Sequence, residues 1–326
     1  MAATLALAGD TMLGRGVGER LTAEPGAALV APEVAECLAG ADAFVVNLEC
    51  CISDRGEPYP DPRKPFFFRA PPVAAQRLAE LGVDAVTLAN NHALDYGPDA
   101  LLDTLTHLRA AGIAAVGAGA DLETARAPLI LRCGGLRVRL VGFSDHPADY
   151  AAGPERPGIA FAGLRGDPPD WVLAAVSPGP DADLTLATPH WGPNMVAGPQ
   201  PHVRRAAGAL HAAGASLIAG HSAHVFHGVA PGVIFDLGDF LDDYAVHPKL
   251  RNDLGLLWLV ELAPHGPRDI RAVPLALEYC FTRRASPAET DLIAHLLKAR
   301  CTAFGTELCI RDEMIELSTD RETEST

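Results

Sequence analysis

The sequence predicts an α/β fold organised around a largely parallel sheet. Three observations predict it. Short apolar runs alternate with helical segments through the first 120 residues, the pattern of successive β-α-β units. The helical segments carry apolar residues three and four apart, as in Leu101, Leu105 and Leu108, closed by Gly112. The apolar runs also end at polar residues able to bind a cation, and α/β sites form outside the carboxyl ends of strands.

Taken in order, residues 4–8 read as a buried strand ending at Gly9-Asp10, and residues 43–46 as a second ending at Asn47-Leu48-Glu49. Residues 53–70, rich in proline and charge, read as a long surface loop of the kind that carries function. Lys64 and Arg69 in it are expected on a solvated face. A helix over 71–81 starts at proline, the strand 84–88 delivers Asn90-Asn91-His92, and a helix over 100–110 leads to a strand over 113–116. Residues 128–131 and 136–142 form a predicted hairpin through Cys133-Gly134-Gly135. After a Gly/Pro-rich stretch and a helix near 171–176, the strand 183–187 delivers Pro189-His190-Trp191-Gly192. A helix over 203–213 and a strand over 216–219 precede Gly220-His221-Ser222-Ala223-His224. Residues 225–236 and 254–262 read as β structure. Residues 286–300 read as a helix whose Ser286 and Glu289 form a capping box.

A net charge of −15 argues against nucleic acid as a partner, because phosphate backbones require basic patches. A small anionic substrate stays compatible, since a metal or a few local arginines override the global field. The chain opens without a basic segment or a long apolar one, so neither a signal peptide nor stable membrane insertion is expected. Seven cysteines without CxxC spacing read as reduced thiols of a cytoplasmic protein. A homo-oligomer is compatible with the sequence.

The strand-end residues gather carboxylate, amide and imidazole, a divalent-metal ligand set, and one sheet edge would bring all five motifs together. Asp10 offers a hard oxygen or a helix cap, Glu49 a carboxylate or an exposed strand end. Asn90, Asn91 and His92 follow a buried strand, where unpaired polar groups are costly. His221 and His224 flank a short turn, and His190 lies between the other motifs.

The segments GDTMLGR (9–15), ADAFVVNLE (41–49), TLANNHALDYG (87–97), PHWG (189–192), GHSAHVFHG (220–228) and DLGDFLDDY (236–244) resemble the CapA family of capsule or poly-γ-glutamate biosynthesis proteins, over roughly residues 4–280. The resemblance implies a four-layer α/β/β/α sandwich of metallophosphoesterase type, with a dinuclear centre of manganese, iron or zinc. One domain is then expected over 1–280, a helix and β extension over 281–317 packed on it, and a flexible tail over 318–326. By position, Asp10 would bind the first metal, Glu49 would bridge, Asn91 and His190 would hold the second, and His221 and His224 would be divided between them. Asn90 and Asp239 are further candidates; Asp239 either compensates near the metals or caps a turn. His92 would act as general acid or orient the substrate, and Arg15 would face its anion. Against the wider superfamily pattern, Met12 replaces a histidine, Glu49 an aspartate, and the last histidines are spaced His-x-x-His. Three functions follow: a metal-dependent hydrolase of a phosphate ester or similar small anionic substrate, a non-hydrolytic accessory protein of polymer synthesis, or an amide hydrolase on glutamyl-type substrates.

Overall fold

The computed structural model describes residues 3–264 and 266–318. Two sheets pack face to face, with helices on both outer faces. In the larger sheet the strand Ala3–Thr11 is central. Ala43–Leu48, Ala85–Thr87 and Ala114–Val116 continue from it in parallel. On its other side Leu254–Ala263 and Gly266–Glu278 run antiparallel, followed by Met314–Ser318 and Glu307–Arg311. The second sheet has the order Val229–Ala230, Val233–Ile234, Leu217–Ala219, Leu184–His190, Leu136–Ser144 and Leu129–Cys133, with its four inner strands parallel.

Side-chain alternation explains the layers. Leu5, Leu7, Ala43 and Val45 point between the sheets, onto Val138, Leu140, Leu184 and Leu186. Their neighbours Ala6, Ala8, Phe44 and Val46 point the other way, onto Val17 and Leu21 of the helix Arg15–Ala23 and Leu101 and Leu108 of Gly97–Ala110. On the far face, Val141, Phe143 and Ile218 meet Val172 of Asp170–Val176 and Val203 and Leu210 of Pro201–Ala213. Strands buried on both faces need the continuous apolar runs seen in the sequence. Each such Leu or Val side chain stabilises by about 1.5–3 kcal/mol. The expected four-layer arrangement is present.

Several expectations need correction. The motif strands belong to two sheets, not one, so the five motifs meet where two carboxyl edges face each other. Within 225–236 only Val229–Ala230 and Val233–Ile234 are strands, because the segment turns back on itself through Gly232. The helices Arg15–Ala23 and Pro32–Ala39 are short, which left their periodicity weak in the sequence. The tail expected over 318–326 lies outside the described residues except for Ser318. Among the described residues no helix is long and apolar enough to cross a membrane.

The helix Pro287–Cys301 carries the predicted box: Ser286 accepts from the Glu289 N–H, and Glu289 accepts from the Ser286 N–H. Its Ile293, Leu297 and Cys301 enter the inter-sheet core. Ser286→Ala is expected to destabilise the fold by about 1 kcal/mol in urea unfolding, with the midpoint reduced and the slope unchanged.

Candidate metal centre

Local irregularities aim the site. Pairing between Ala3–Thr11 and Ala43–Leu48 shifts register between Ala8 and Asp10, a bulge that turns Asp10 into the space between the sheet edges. The Asp10 N–H donates to the Gly238 carbonyl at 3.0 Å. Opposite, His190 and His221 form an isolated parallel bridge, which brings their Nδ1 atoms to 2.8 Å. The turn after His221 holds Ser222 at φ 124° and His224 at φ 59°. Buried Asp236 secures that turn by accepting from the Ala223 and Gly238 N–H groups at 2.8 and 2.9 Å. Strained backbone persists only where surrounding bonds over-determine it.

Two groups of ligand atoms result, each within 4.8 Å: Asp10, His190 and His221, and Asp10, Glu49 and His224. Asp10 belongs to both groups. His224 Nδ1 lies 3.3 Å from Asp10 Oδ2 and 2.8 Å from Asp239 Oδ1. Asp239 opens the short strand Asp239–Leu241 and pairs with Asp10 in register, so it stands beside the cluster and does not sit in a turn.

The donor set passes a physical test for cations. Asp10 Oδ2, Glu49 Oε1, Asn91 Oδ1, His190 Nε2, His221 Nε2 and Asp239 Oδ2 are all buried without a hydrogen-bond partner. Buried polar atoms are ordinarily paired, and each one left unpaired costs about 1–3 kcal/mol. Burial raises the carboxyls of Asp10, Glu49, Asp236 and Asp239, and repulsion among neighbouring carboxylates raises the last three further. Burial lowers His221 to about 3 and His190 well below its ordinary range, so both present neutral rings, the form that binds metal. Burial also opposes charge on His224, but Glu49 and Asp10 outweigh it and raise this ring. A cluster of desolvated oxygens and neutral imidazoles fits divalent cations.

The remaining predicted residues fall into distinct places. Asn90 is fully committed: its side-chain oxygen accepts from the His92 N–H, and its Nδ2 donates to Asn47 Oδ1 and the Leu48 carbonyl. It builds the turn that carries Asn91. His92 stacks on Phe68, with ring centroids 4.0 Å apart, and its Nδ1 lies 2.6 Å from Asp95 Oδ2. Burial lowers His92 to about 4, although Asp95 pulls the other way. Arg15 does not present a free guanidinium. Asp243 clasps it, and it lies over the rings of Phe68, Tyr244 and Phe66.

Lys64 also departs from expectation. It is largely buried, donating to the Asn91 carbonyl at 2.7 Å and pairing with Asp95 Oδ1 at 2.9 Å. The Pro-rich loop therefore packs on the site. Sequence reasoning passed over Asp95, Asp236 and Asn194, and gave Asn47 no role within its motif. Asp95 and Asp236 stood inside segments already singled out, three and twelve residues beyond His92 and His224, and buried-turn aspartates so close to candidate ligands were the available signal. Asn47 Nδ2 donates to Asp10 Oδ1 at 2.7 Å, and Asn194 Nδ2 contacts His224 Nε2 at 3.1 Å. All seven cysteines are free, and none enters either ligand group.

Residues 4–244 match the family described as bacterial capsule synthesis protein PGA_cap. A Mycobacterium tuberculosis protein named as a probable polyglutamine synthesis accessory protein is 32% identical, the match covering 85% of this chain and 77% of that one. The capsule biosynthesis protein CapA of Bacillus anthracis is 31% identical over 84% of this chain and 67% of its own. Among solved structures, a hypothetical protein from Thermus thermophilus aligns with a TM-score of 0.45 and 16% identity over 83% of this chain and 98% of that one.

Proposed function

The chain belongs to the bacterial capsule synthesis protein PGA_cap family, and from that premise we propose that it is a metal-dependent hydrolase of a phosphate ester or similar small anionic substrate. One observation carries the reading: buried, unpartnered oxygen and nitrogen atoms of Asp10, Glu49, His190 and His221 converge at the facing sheet edges. Asp10, His190 and His221 would hold one divalent ion, and Asp10, Glu49 and His224 a second. Asn91 and Asp239 stand ready to add oxygens. Oxygen and imidazole donors without thiolate suit manganese, iron or zinc. Bound there, such ions supply Lewis acidity and bring the pKa of an attached water to about 7.

The chain's own residues supply the proton handling. The bond between His92 Nδ1 and Asp95 assigns the Nδ1 tautomer, leaving a lone pair on Nε2, which lies 3.9 Å from Glu49 Oε1. That lone pair accepts a proton from the attacking water and returns it to the departing oxygen. Phe68, stacked on the ring, and Asp95 fix its orientation. Free thiols throughout suit a reducing, cytoplasmic setting.

The names of the relatives support a second reading, an accessory role in polymer synthesis, here taken without hydrolysis. Elemental analysis and turnover separate the two. The hydrolase reading expects about two transition-metal equivalents per chain and chelator-sensitive release of p-nitrophenol from p-nitrophenyl phosphate. Absence of both metal and turnover would leave the accessory role. Turnover of a γ-glutamyl anilide in place of the phosphate would move the reaction to amide hydrolysis. His92→Ala is expected to reduce turnover by about 10²–10⁴-fold while metal content is retained, as measured on the same preparation.

A further inference from the structure

We propose that a cavity at the start of the helix Pro201–Ala213 is a binding site for a small-molecule oxyanion, a phosphate or a carboxylate. It is distinct from the candidate metal positions, since no residue of either ligand group lines it. The proposal therefore goes beyond the hydrolase reading and stands without it. The cavity holds about 1070 Å³, enough for a small organic acid or phosphate. Arg165, Arg205, His146, His202 and Gln200 are on its wall.

The two arginines set this wall apart. In a chain of net charge −15, other guanidinium groups are met by carboxylates: Arg137 by Asp183, Arg251 by Asp253, Arg283 by Glu278 and Glu289. Among the described residues neither Arg165 nor Arg205 has a carboxylate partner, although both line one cavity. Arg205 Nη2 donates to the Arg165 carbonyl at 2.7 Å and the Gly166 carbonyl at 3.5 Å. Those bonds fix its head at the wall and leave its Nε and Nη1 donors open among the described residues. The Arg165 guanidinium has no protein acceptor among them.

The acid on the wall does not fill that role. Asp145 Oδ1 lies 2.5 Å from His146 Nδ1, and its Oδ2 accepts from the Gly192 N–H at 3.1 Å and lies 3.5 Å from His202 Nε2. Both oxygens are thus taken up by nearer groups, and the two guanidiniums stay uncompensated. A guanidinium fork matches the paired oxygens of a carboxylate or phosphate, and a concave wall of one sign concentrates the opposite charge. Anchoring of residues 165 and 166 accounts for one donor of Arg205 and for nothing of Arg165. An oxyanion between the two heads accounts for both.

Calorimetric titration of the full chain with inorganic phosphate and with glutarate tests this, in buffer containing EDTA so that no ion at the ligand cluster captures the probe. At least one probe is expected to bind, and Arg165→Gln and Arg205→Gln are each expected to weaken it about tenfold. Arg132→Gln, at an exposed arginine outside the cavity, should leave the affinity unchanged. The urea midpoint of Arg165→Gln should match that of the unaltered protein, because this guanidinium ties nothing together, so its weaker binding cannot be lost structure. Binding of phosphate alone assigns a phosphate ligand, of glutarate alone a carboxylate, and of both the shared oxyanion chemistry. Binding of neither probe, unaltered affinity in either folded variant, or equal weakening in Arg132→Gln overturns the proposal. Binding seen only when EDTA is omitted also overturns it, since the anion then sits on metal, and leaves the hydrolase reading standing.

Discussion

Asp10→Asn is expected to empty both candidate metal positions at once, because Asp10 alone belongs to both ligand groups. Removing one partner of a buried charge interaction costs about 3–5 kcal/mol, roughly two to three and a half orders of magnitude in ion affinity. Elemental analysis should therefore fall from about two equivalents to near zero, and turnover should fall to background. Glu49→Gln touches one group only and should retain ion in the other. The fold should survive Asp10→Asn without metal. Burial already raises the Asp10 carboxyl, so the neutral amide spares the metal-free protein a desolvated charge. An Asp10→Asn protein that keeps both ions would sink the assignment.

Gly9→Ala should damage the fold itself. A methyl group at Gly9 would overlap the Gly238 carbonyl oxygen, with the Leu237 side chain 3.0 Å away. That carbonyl cannot yield, since it accepts the Asp10 N–H, and Gly238 sits at φ 81° in a turn tied down by Asp236. Backbone against backbone leaves no side chain to swing aside. The expected loss is about 3 kcal/mol, read as a lowered urea midpoint. Gly26→Ala, where a methyl meets nothing within 4 Å, is the matched control and should move the midpoint little.

Much of this was legible in the residues themselves. Both-face burial left short, mainly apolar stretches in Ala43–Leu48 and Leu184–His190, and a candidate ligand directly ends or follows each of them. What escaped detection is nonlocal. Assigning the motif strands to two sheets depends on Leu254–Ala263 inserting antiparallel beside Ala3–Thr11, and no local signal announces that pairing. Arg15 looked available because its partner Asp243 lies far along the chain. Lys64 looked solvated because a Pro-rich loop reads as surface, whereas its ammonium folds inward onto Asp95. Asn90 and Asn91 looked alike as letters, and only the hydrogen bonds divide them into a scaffold residue and one with an open side-chain oxygen.

The position of the cluster has a mechanical consequence. Asp10 and Glu49 hang from one slab of the sandwich, His190 and His221 from the other, so a cation gripped by both acts as a rivet through the seam. Its binding free energy is then also work against prying the slabs apart. Chelation should make the amides of Leu184–His190 exchange with deuterium faster, while those of the remote Glu307–Arg311 hairpin stay as they were.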